Sequence, residues 1–447
     1  MKQIETVCEN GTAQTRIIER TALPDDGHQE TDILNLYPSE RFQTLLGFGG
    51  AFTEAAGYVF ARMPETAQKQ MLNDYFGSDG LGYTLGRSSI DSCDFGLGNY
   101  SAVTDPADKE LKTFSLSRDE QYILPLCRAA QLLQPNLRWM LSPWSPPAFM
   151  KSNHEKNHGG KLLPEYRALW AEYLCRYVDA YQKRGLPVFA LSIQNEPNAV
   201  QAWDSCVYSA DEEQDFAVNF LAPAIAAHEL NNLTLTIWDH NKERLFDRVN
   251  TICGTPSGRA AVGGIGYHWY SGDHFEAVSL TAQKYPEKTL IFTEGCIEYS
   301  KFSAQDSLQN AQKYAHEIIG SFNAGMHAFI DWNLFLDIQG GPNHVGNYCD
   351  APIMADIATG TYHRNLSYNY IGHFSRYLRQ GAVRIGSTRF TDRIELTAAE
   401  NPDGTLTAIA LNRGTESIVC YLRVSGLLYP ITLASQSIST LILPRGE

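Results

Sequence analysis

Two glutamates stand where a chain can do chemistry. Leu191-Ser192-Ile193-Gln194-Asn195-Glu196-Pro197 closes a short apolar run that begins at Val188 and stops abruptly at Asn-Glu-Pro. Such a run, bounded by punctuation, is the pattern of a buried parallel strand. Pro197 cannot continue a ladder, and it biases Glu196 toward an extended backbone. Thr289-Leu290-Ile291-Phe292-Thr293-Glu294-Gly295 repeats the form, ending in one carboxylate and a glycine. Barrel and open-sheet enzymes place their chemistry at the carboxyl ends of their strands. One glutamate before a turn proline is common and decides nothing. Two carboxylates at two strand ends is what cleavage of a glycosidic bond needs: one acid protonates the leaving oxygen while the other attacks or activates water.

The rest of the chain supplies strands to hold them. Leu46 to Ala55 opens with Leu46-Gly47-Phe48-Gly49-Gly50, a glycine-rich first strand running into its loop. It lacks the G-x-x-x-x-G-K-[ST] pattern and the dinucleotide fingerprint, so a phosphate cradle is disfavoured. Further strands are expected at Tyr83–Ser89, Arg138–Ser142, Val188–Gln194, Leu233–Trp238, Gly264–His268, Leu290–Thr293 and Ala328–Trp332. Helices fall between them: Pro64 to Phe76 with Gly77 beyond its end, and one opened by a Ser117-x-x-Glu120 capping box that ends before Pro135. Others run from Pro164 to Arg184, from Asp211 to about Leu221, and from about Ala304 to Phe322. Strands alternating with helices predict a parallel α/β fold, and eight candidates favour a closed barrel. Glu196 and Glu294 then follow strands four and seven.

After a helix near Tyr370–Leu378 the pattern changes to short strands at Ile394–Ala398, Thr405–Asn412, Ser417–Val424 and Ser437–Leu443. Ile418, Cys420, Leu422 and Val424 alternate with Val419, Tyr421 and Arg423, the period of a half-buried strand. Asn401-Pro402-Asp403-Gly404 supplies a hairpin turn. The opening segment has strand-like pieces at Thr15–Ile18 and Ile33–Leu36. The expected fold is a (β/α)8 TIM barrel over 44–380, with a small antiparallel β-sandwich side domain built from 381–447 and the N-terminal 1–43.

Composition narrows the partners. The 447 residues are 43% hydrophobic and 19% charged, enough for one large core and a smaller one. A net charge of −14 argues against a nucleic-acid partner and against polybasic docking to anionic lipid. Nine cysteines are scattered with no C-x-x-C, so most are read as free thiols. The N-terminal MKQIETVCENGTAQTR has no apolar h-region, and no run of 18 apolar residues occurs, so neither a secretory signal nor a transmembrane segment is expected. Asn10, Asn99, Asn232 and Asn365 lie in N-x-S/T sequons, which matter only on the secretory route. Location is left between the cytoplasm and export by a route that reads no cleavable signal.

With its motifs assembled, the chain resembles glycoside hydrolase family 30, in its glucosylceramidase-like branch. The motifs are GFGGAFTEAA at 47–56, Ser92-Cys93-Asp94-Phe95, SPWSPPAFMKSN at 142–153, QNEP at 194–197, HWY at 268–270, TEG at 293–295 and DWN…GGPN at 331–343. The resemblance implies Glu196 as acid/base and Glu294 as nucleophile. It implies that Asp94, Trp144, Asn195, Trp332 and Asn347 line the sugar subsite, with His268 and Tyr270 beside the nucleophile and Arg87 at a strand end near it. It also implies a retaining β-glycosidase that needs no cofactor or metal. The substrate it implies is a β-glucoside or glucosylated lipid of the glucosylceramide type, compatible with transient contact at a membrane surface.

Those residue types suit the roles. An arginine or tyrosine beside Glu294 favours its ionised form, while Glu196 must start protonated, its pKa raised by burial or by the nucleophile's charge. Asp94 and the asparagines can bind sugar hydroxyls, Trp144 and Trp332 offer flat apolar faces, and together they suggest an exo-acting pocket. Gln194 and Gly295 depart from the mammalian members, which carry Glu and Ala there.

Other readings compete. A β-1,6-glucanase or β-xylosidase of the same family is the runner-up, and a silent carbohydrate- or lipid-binding protein the rival of another class. His154-Glu155-Lys156-Asn157-His158 spells H-E-x-x-H, but it sits in a polar loop between Ser152-Asn153 and Gly159-Gly160, where a zinc peptidase needs a helix. Tyr166, Leu169, Tyr173, Tyr177 and Tyr181 recur at helical spacing and read as core. Trp170 and Trp203 stay unassigned, and His240 and Cys296, each lone near a strand end, read as structural.

Overall fold

The computed structural model describes residues 1–9 and 11–444. Asn10, the first sequon asparagine, lies outside them. Eight parallel strands close into a barrel: Gly47–Ala51, Leu85–Ile90, Arg138–Pro143, Val188–Ser192, Thr234–Asn241, Gly264–His268, Thr289–Glu294 and Ala328–Asp331. They are named strands one to eight below. Each pairs with the next in the chain, and strand eight closes on strand one through Ala328–Gly47 to Asp331–Gly50. The eight expected strands are therefore present in the expected order, and strand five runs three residues past its expected end.

Tight closure explains the glycines of strand one. A Cβ on Gly49 would lie 2.2 Å from the carbonyl oxygen of Leu85 in strand two, so no side chain fits. Leu85, Met140, Ala190, Ile291, Ala328 and Ile330 fill the barrel interior, all fully buried. Outside, helices such as Arg167–Gln182 and Ser307–Ala324 cover the strands. Tyr173, Tyr177 and Tyr181 do face the core, and their hydroxyls reach inward to the buried carboxylates Asp91 and Asp119.

The capping box expected at Ser117-x-x-Glu120 does not form. A single turn at Asp119–Gln121 precedes the helix Ile123–Leu133, and Glu120 instead pairs with Arg128 and Arg184. The capping box that does form is Ser209 with Glu212, opening the helix Ala210–Phe216, which continues through a wider turn to Ala227. The H-E-x-x-H run is a loop, with left-handed backbone at His154 and His158 (φ 54° and 60°).

A second sheet of ten strands joins both chain ends. Lys2–Glu9 pairs with Thr12–Glu19 and with the last strand, Ser437–Leu443. Ile33–Thr44 lies between Val383–Thr388 and Ile418–Val424. Leu34, Ile385, Leu396, Leu422 and Ile431 form its core, separate from that of the barrel. The side domain built from both termini is thus present, antiparallel but for the parallel pairing of Ile33–Thr44 with Ile418–Val424. The strands Val383–Thr388 and Leu427–Leu433 and a small sheet of Phe335–Asp337, Ile353–Asp356 and Thr361–Arg364 went unread in the sequence. All nine cysteines are free thiols. Among the described residues no helix is long and apolar enough to cross a membrane.

Candidate active site

The carboxyl ends of the strands converge on one pocket of about 190 Å³. Asp94, Trp144, Asn195, Glu196, His240, Tyr270, Glu294, Trp332 and Asn347 are among the residues that wall it. A larger cleft of about 700 Å³ opens at the other end of the barrel, by Gly47, Thr84 and Arg376, with Asp79 as its only acid. Size alone would favour that cleft, but the facing carboxylates favour the smaller pocket.

Arg87, fully buried in strand two, organises the floor. Its Nη1 donates to Glu294 Oε2 at 2.7 Å, and its Nη2 to Asn195 Oδ1 at 2.8 Å and Asp239 Oδ2 at 3.0 Å. Its Nε donates to Ser142 Oγ at 3.2 Å. Tyr270 completes the hold on Glu294, donating its hydroxyl to Oε1 at 3.0 Å. On the other side Glu196 Oε1 faces two imidazoles, with His268 Nδ1 and His240 Nδ1 each at 3.3 Å. His268 Nε2 lies 3.2 Å from Asp239 Oδ1, so the ring is fixed between two carboxylates.

Glu196 is not extended as expected. Its φ is +48°, in the left-handed region, an arrangement worth about 1–3 kcal/mol of strain. Pro197 disfavours the right-handed helical well, and the turn is pinned by Glu196 N–H donating to Asp239 O at 2.9 Å and Ala199 N–H to Glu196 O at 2.9 Å. Gln194 helps: its amide donates to the carbonyls of Trp144 at 2.6 Å and Asn195 at 2.8 Å, tying strand four's loop to that of strand three.

The charges differ from expectation too. Burial pushes Glu196 up, but the imidazoles of His240 and His268 pull it down further, and the net is a lowered pKa. Glu294 is raised: burial and the charge of Glu196 outweigh His268 and Arg87. The expected order is reversed because both imidazoles lie on the Glu196 side. His268 resists its burial, and Glu294, Asp239 and Glu196 carry it up to about 9. Asp239 is held well below the usual carboxylate range: burial raises it, but Arg87 and His268 lower it more.

The residues expected to line the sugar subsite gather opposite. Asp94 Oδ2 accepts from Asn343 Nδ2 at 3.1 Å and Asn347 Nδ2 at 3.3 Å. Burial, then the charge of Glu294, raises Asp94 to about 7. Trp144 and Trp332 stack on each other, centroids 5.2 Å apart at 20°, so each keeps one face covered by the other. The pocket thus brings Asp94, Trp144, Asn195, Trp332, Asn347, His268, Tyr270 and Arg87 together with both glutamates.

Asp239, His240 and Asn241 were missed. They follow the apolar run of strand five as Glu196 and Glu294 follow theirs, a signal the sequence does carry. The reading of His240 as structural is corrected: it lines the pocket against Glu196. Asn241 positions Tyr270, whose N–H donates to its Oδ1 at 2.9 Å.

Residues 45–378 match the glycosyl hydrolase family 30 TIM-barrel domain, and 381–441 the family 30 beta sandwich domain. The chain belongs to glycoside hydrolase family 30. Within the family it is 30% identical over 405 residues to lysosomal acid glucosylceramidase of Mus musculus, covering 86% of this chain and 78% of that one. The crystal structure of SrfJ from Salmonella typhimurium is 39% identical with a TM-score of 0.95, and the endo-beta1,6-glucanase BT3312 is 26% identical with a TM-score of 0.90, both over 100% of each chain. This family 30 chain is a glycoside hydrolase, with glucosylceramidases and an endo-glucanase among its relatives.

Proposed function

We propose that the chain is a retaining β-glycosidase that hydrolyses β-glucosides, foremost glucosylated lipids of the glucosylceramide type. Glu294 attacks the anomeric carbon while Glu196 protonates the leaving oxygen, and a covalent glycosyl-enzyme forms. Water activated by Glu196 then releases the sugar. Asp94, Asn195 and Asn347 take the sugar hydroxyls, and Trp144 and Trp332 pack on the ring. In this reading 44–380 carry catalysis, and 1–43 with 381–447 form the side domain.

One observation carries the reading: a single imidazole nitrogen, His268 Nδ1, lies 3.3 Å from Glu196 Oε1 and 4.0 Å from Glu294 Oε1. Those lengths bound the separation of the two carboxylate oxygens and accommodate the ~5–5.5 Å of a retaining pair. The same ring supplies the proton that Glu196 lacks in the sugar-free pocket. A sugar that displaces water makes the ion pair costlier, and the proton moves from imidazolium to carboxylate. Arg87 and Tyr270 meanwhile aim Glu294.

A second reading, β-1,6-glucanase, is favoured by the BT3312 likeness and by the further polar or aromatic groups, Gln201, Trp203 and Asn241, that line the same pocket. The test is hydrolysis of chromogenic β-glucoside, β-xyloside and β-galactoside by wild type, Glu196→Gln and Glu294→Gln, then of glucosylceramide in mixed micelles against β-1,6-glucan. Glucoside turnover abolished by Glu294→Gln, with azide partly rescuing Glu196→Gln on an activated substrate, is expected. Preference for the glucan moves the assignment to the second reading. Binding of sugar or lipid with no turnover of any glycoside leaves a silent binding protein.

A further inference from the structure

Glu196, His240 and His268 converge more closely than an acid/base needs. The carboxylate oxygen and one nitrogen from each ring lie within 4.8 Å of one another. Glu196 Oε1 is 3.3 Å from each of the two Nδ1 atoms. Zinc bonds of ~2.0–2.2 Å to N and O, spread tetrahedrally, set neighbouring ligand atoms about 3.4 Å apart, so two edges of the triangle already have the right length. Among the described residues His240 Nδ1 is buried and has no hydrogen-bond partner.

Two further features complete a ligand set. The far nitrogen of His268 rests on Asp239 Oδ1 at 3.2 Å, the carboxylate–histidine support that fixes a ligating ring and leaves its other nitrogen aimed at the ion. The remaining coordination position opens into the pocket, where water or Glu294 Oε1, 4.0 Å from His268 Nδ1, can fill it. Two imidazoles and one carboxylate select zinc-class transition ions over magnesium or calcium, which take oxygen ligands.

We propose that Glu196, His240 and His268 form a binding site for a divalent transition-metal ion of the zinc class, whose occupation silences the enzyme. A bound ion takes the Glu196 oxygen that would hold the catalytic proton and fills the space of the leaving group. The silencing rests on the reading of Glu196 as acid/base; the binding does not.

The test uses full-length protein stripped with EDTA and titrated with Co2+ alone, read by the visible absorption of tetrahedral cobalt, then with Zn2+ in competition. One Co2+ per chain, displaced by Zn2+ and not by Mg2+, is expected. His240→Gln and Glu196→Gln should each weaken it by at least about tenfold. The two variants report independently, so one that fails to fold does not end the test. His158→Gln is the control, since His158 and Glu155 pair at 2.9 Å in an exposed loop and offer an ion a competing imidazole and carboxylate. No cobalt spectrum, or binding that follows His158→Gln instead of His240→Gln, overturns the site. On a chromogenic β-glucoside, Zn2+ should inhibit and EDTA restore turnover. Zn2+ held at this site with turnover unchanged overturns the silencing, whereas a protein that binds the ion and hydrolyses no glycoside fails the glycosidase reading alone.

Discussion

Arg87 and Glu294 meet at 2.7 Å although 207 residues separate them in the chain. The contact spans strands two and seven, so it exists only in the closed barrel. Arg87 also carries Asn195 and Asp239 on its other terminal nitrogen, and lysine, with one compact ammonium, cannot hold all three. Arg87→Lys is expected to lower kcat on a β-glucoside by about 100-fold, the scale of a misplaced reacting group. Arg87→Met leaves Asp239 and Glu294 buried with only the His268 ring to offset their charge and should cost about 3–5 kcal/mol of stability, read as a shift of the urea midpoint. A lysine variant with kcat near wild type would remove Arg87 from the positioning of the nucleophile.

Asp94 is built as an acceptor. Two amides, Asn343 and Asn347, already donate to its Oδ2, which leaves Oδ1 toward the pocket. Asp94→Asn keeps the shape but must turn an NH2 either against those amides or into the sugar's place. Losing an acceptor that is charged above about pH 7 costs about 1.5–3 kcal/mol, so kcat/KM measured above that pH should fall roughly 10- to 100-fold. Steady-state kinetics on glucoside and xyloside check it, and an unchanged kcat/KM on both means that Asp94 does not bind the sugar.

Gly49→Ala tests the closure of the barrel. Its Cβ would meet the backbone carbonyl of Leu85, which cannot turn aside as a flexible side chain can. Overpacking of this kind costs about 1–3 kcal/mol or more, and the thermal midpoint should drop accordingly. A variant as stable as wild type would mean that strands one and two can separate without penalty.

How much of this was legible follows from what burial writes into a sequence. Most strands buried on both faces appear as apolar runs, while strand one shows as a glycine-rich run and strand two carries Arg87-Ser88-Ser89 between apolar ends; all eight could be read, and with them the places of Glu196 and Glu294. Strand five was cut at Trp238 because the apolar run ends there. Yet the ladder continues through Asp239, His240 and Asn241, where Trp238 and Asp239 take left-handed backbone and the register with strand six shifts. That bend turns His240 onto Glu196, and no spacing rule shows it. Nor could the charge order be read, since it depends on which carboxylate the imidazoles face. Val383–Thr388 and Leu427–Leu433 escaped because their alternation is broken by Gly386 and Pro430, and only pairing in three dimensions makes them strands.

The last prediction concerns acid and the seam between the two sheets. His373, on the helix Leu366–Ser375 and 3% exposed, has Nδ1 2.8 Å from Thr440 Oγ1 and Nε2 2.7 Å from Thr6 Oγ1. It therefore ties the barrel's last helix to the first and last strands of the side sheet. Both hydroxyls could turn to accept from an imidazolium, so hydrogen bonding does not forbid the charge. Burial does, helped by Arg376, and together they lower His373 from 6.5 to about 3. The unfolded chain binds this proton below about 6.5 while the folded one does not until about 3, so between those values the unfolded state carries more protons. His373 therefore gives its full stability above 6.5 and loses it as pH falls toward 3, at about 1.4 kcal/mol per pH unit. Buried acids with raised pKa, such as Asp119 at about 7, work in the opposite sense and gain stability on acidification. The informative quantity is hence the difference between wild type and His373→Gln in urea midpoint from neutral pH to about pH 4. The variant should be the less stable at neutral pH and close the gap, or overtake wild type, in acid. Two curves that stay parallel would mean that His373 charges without opening the seam.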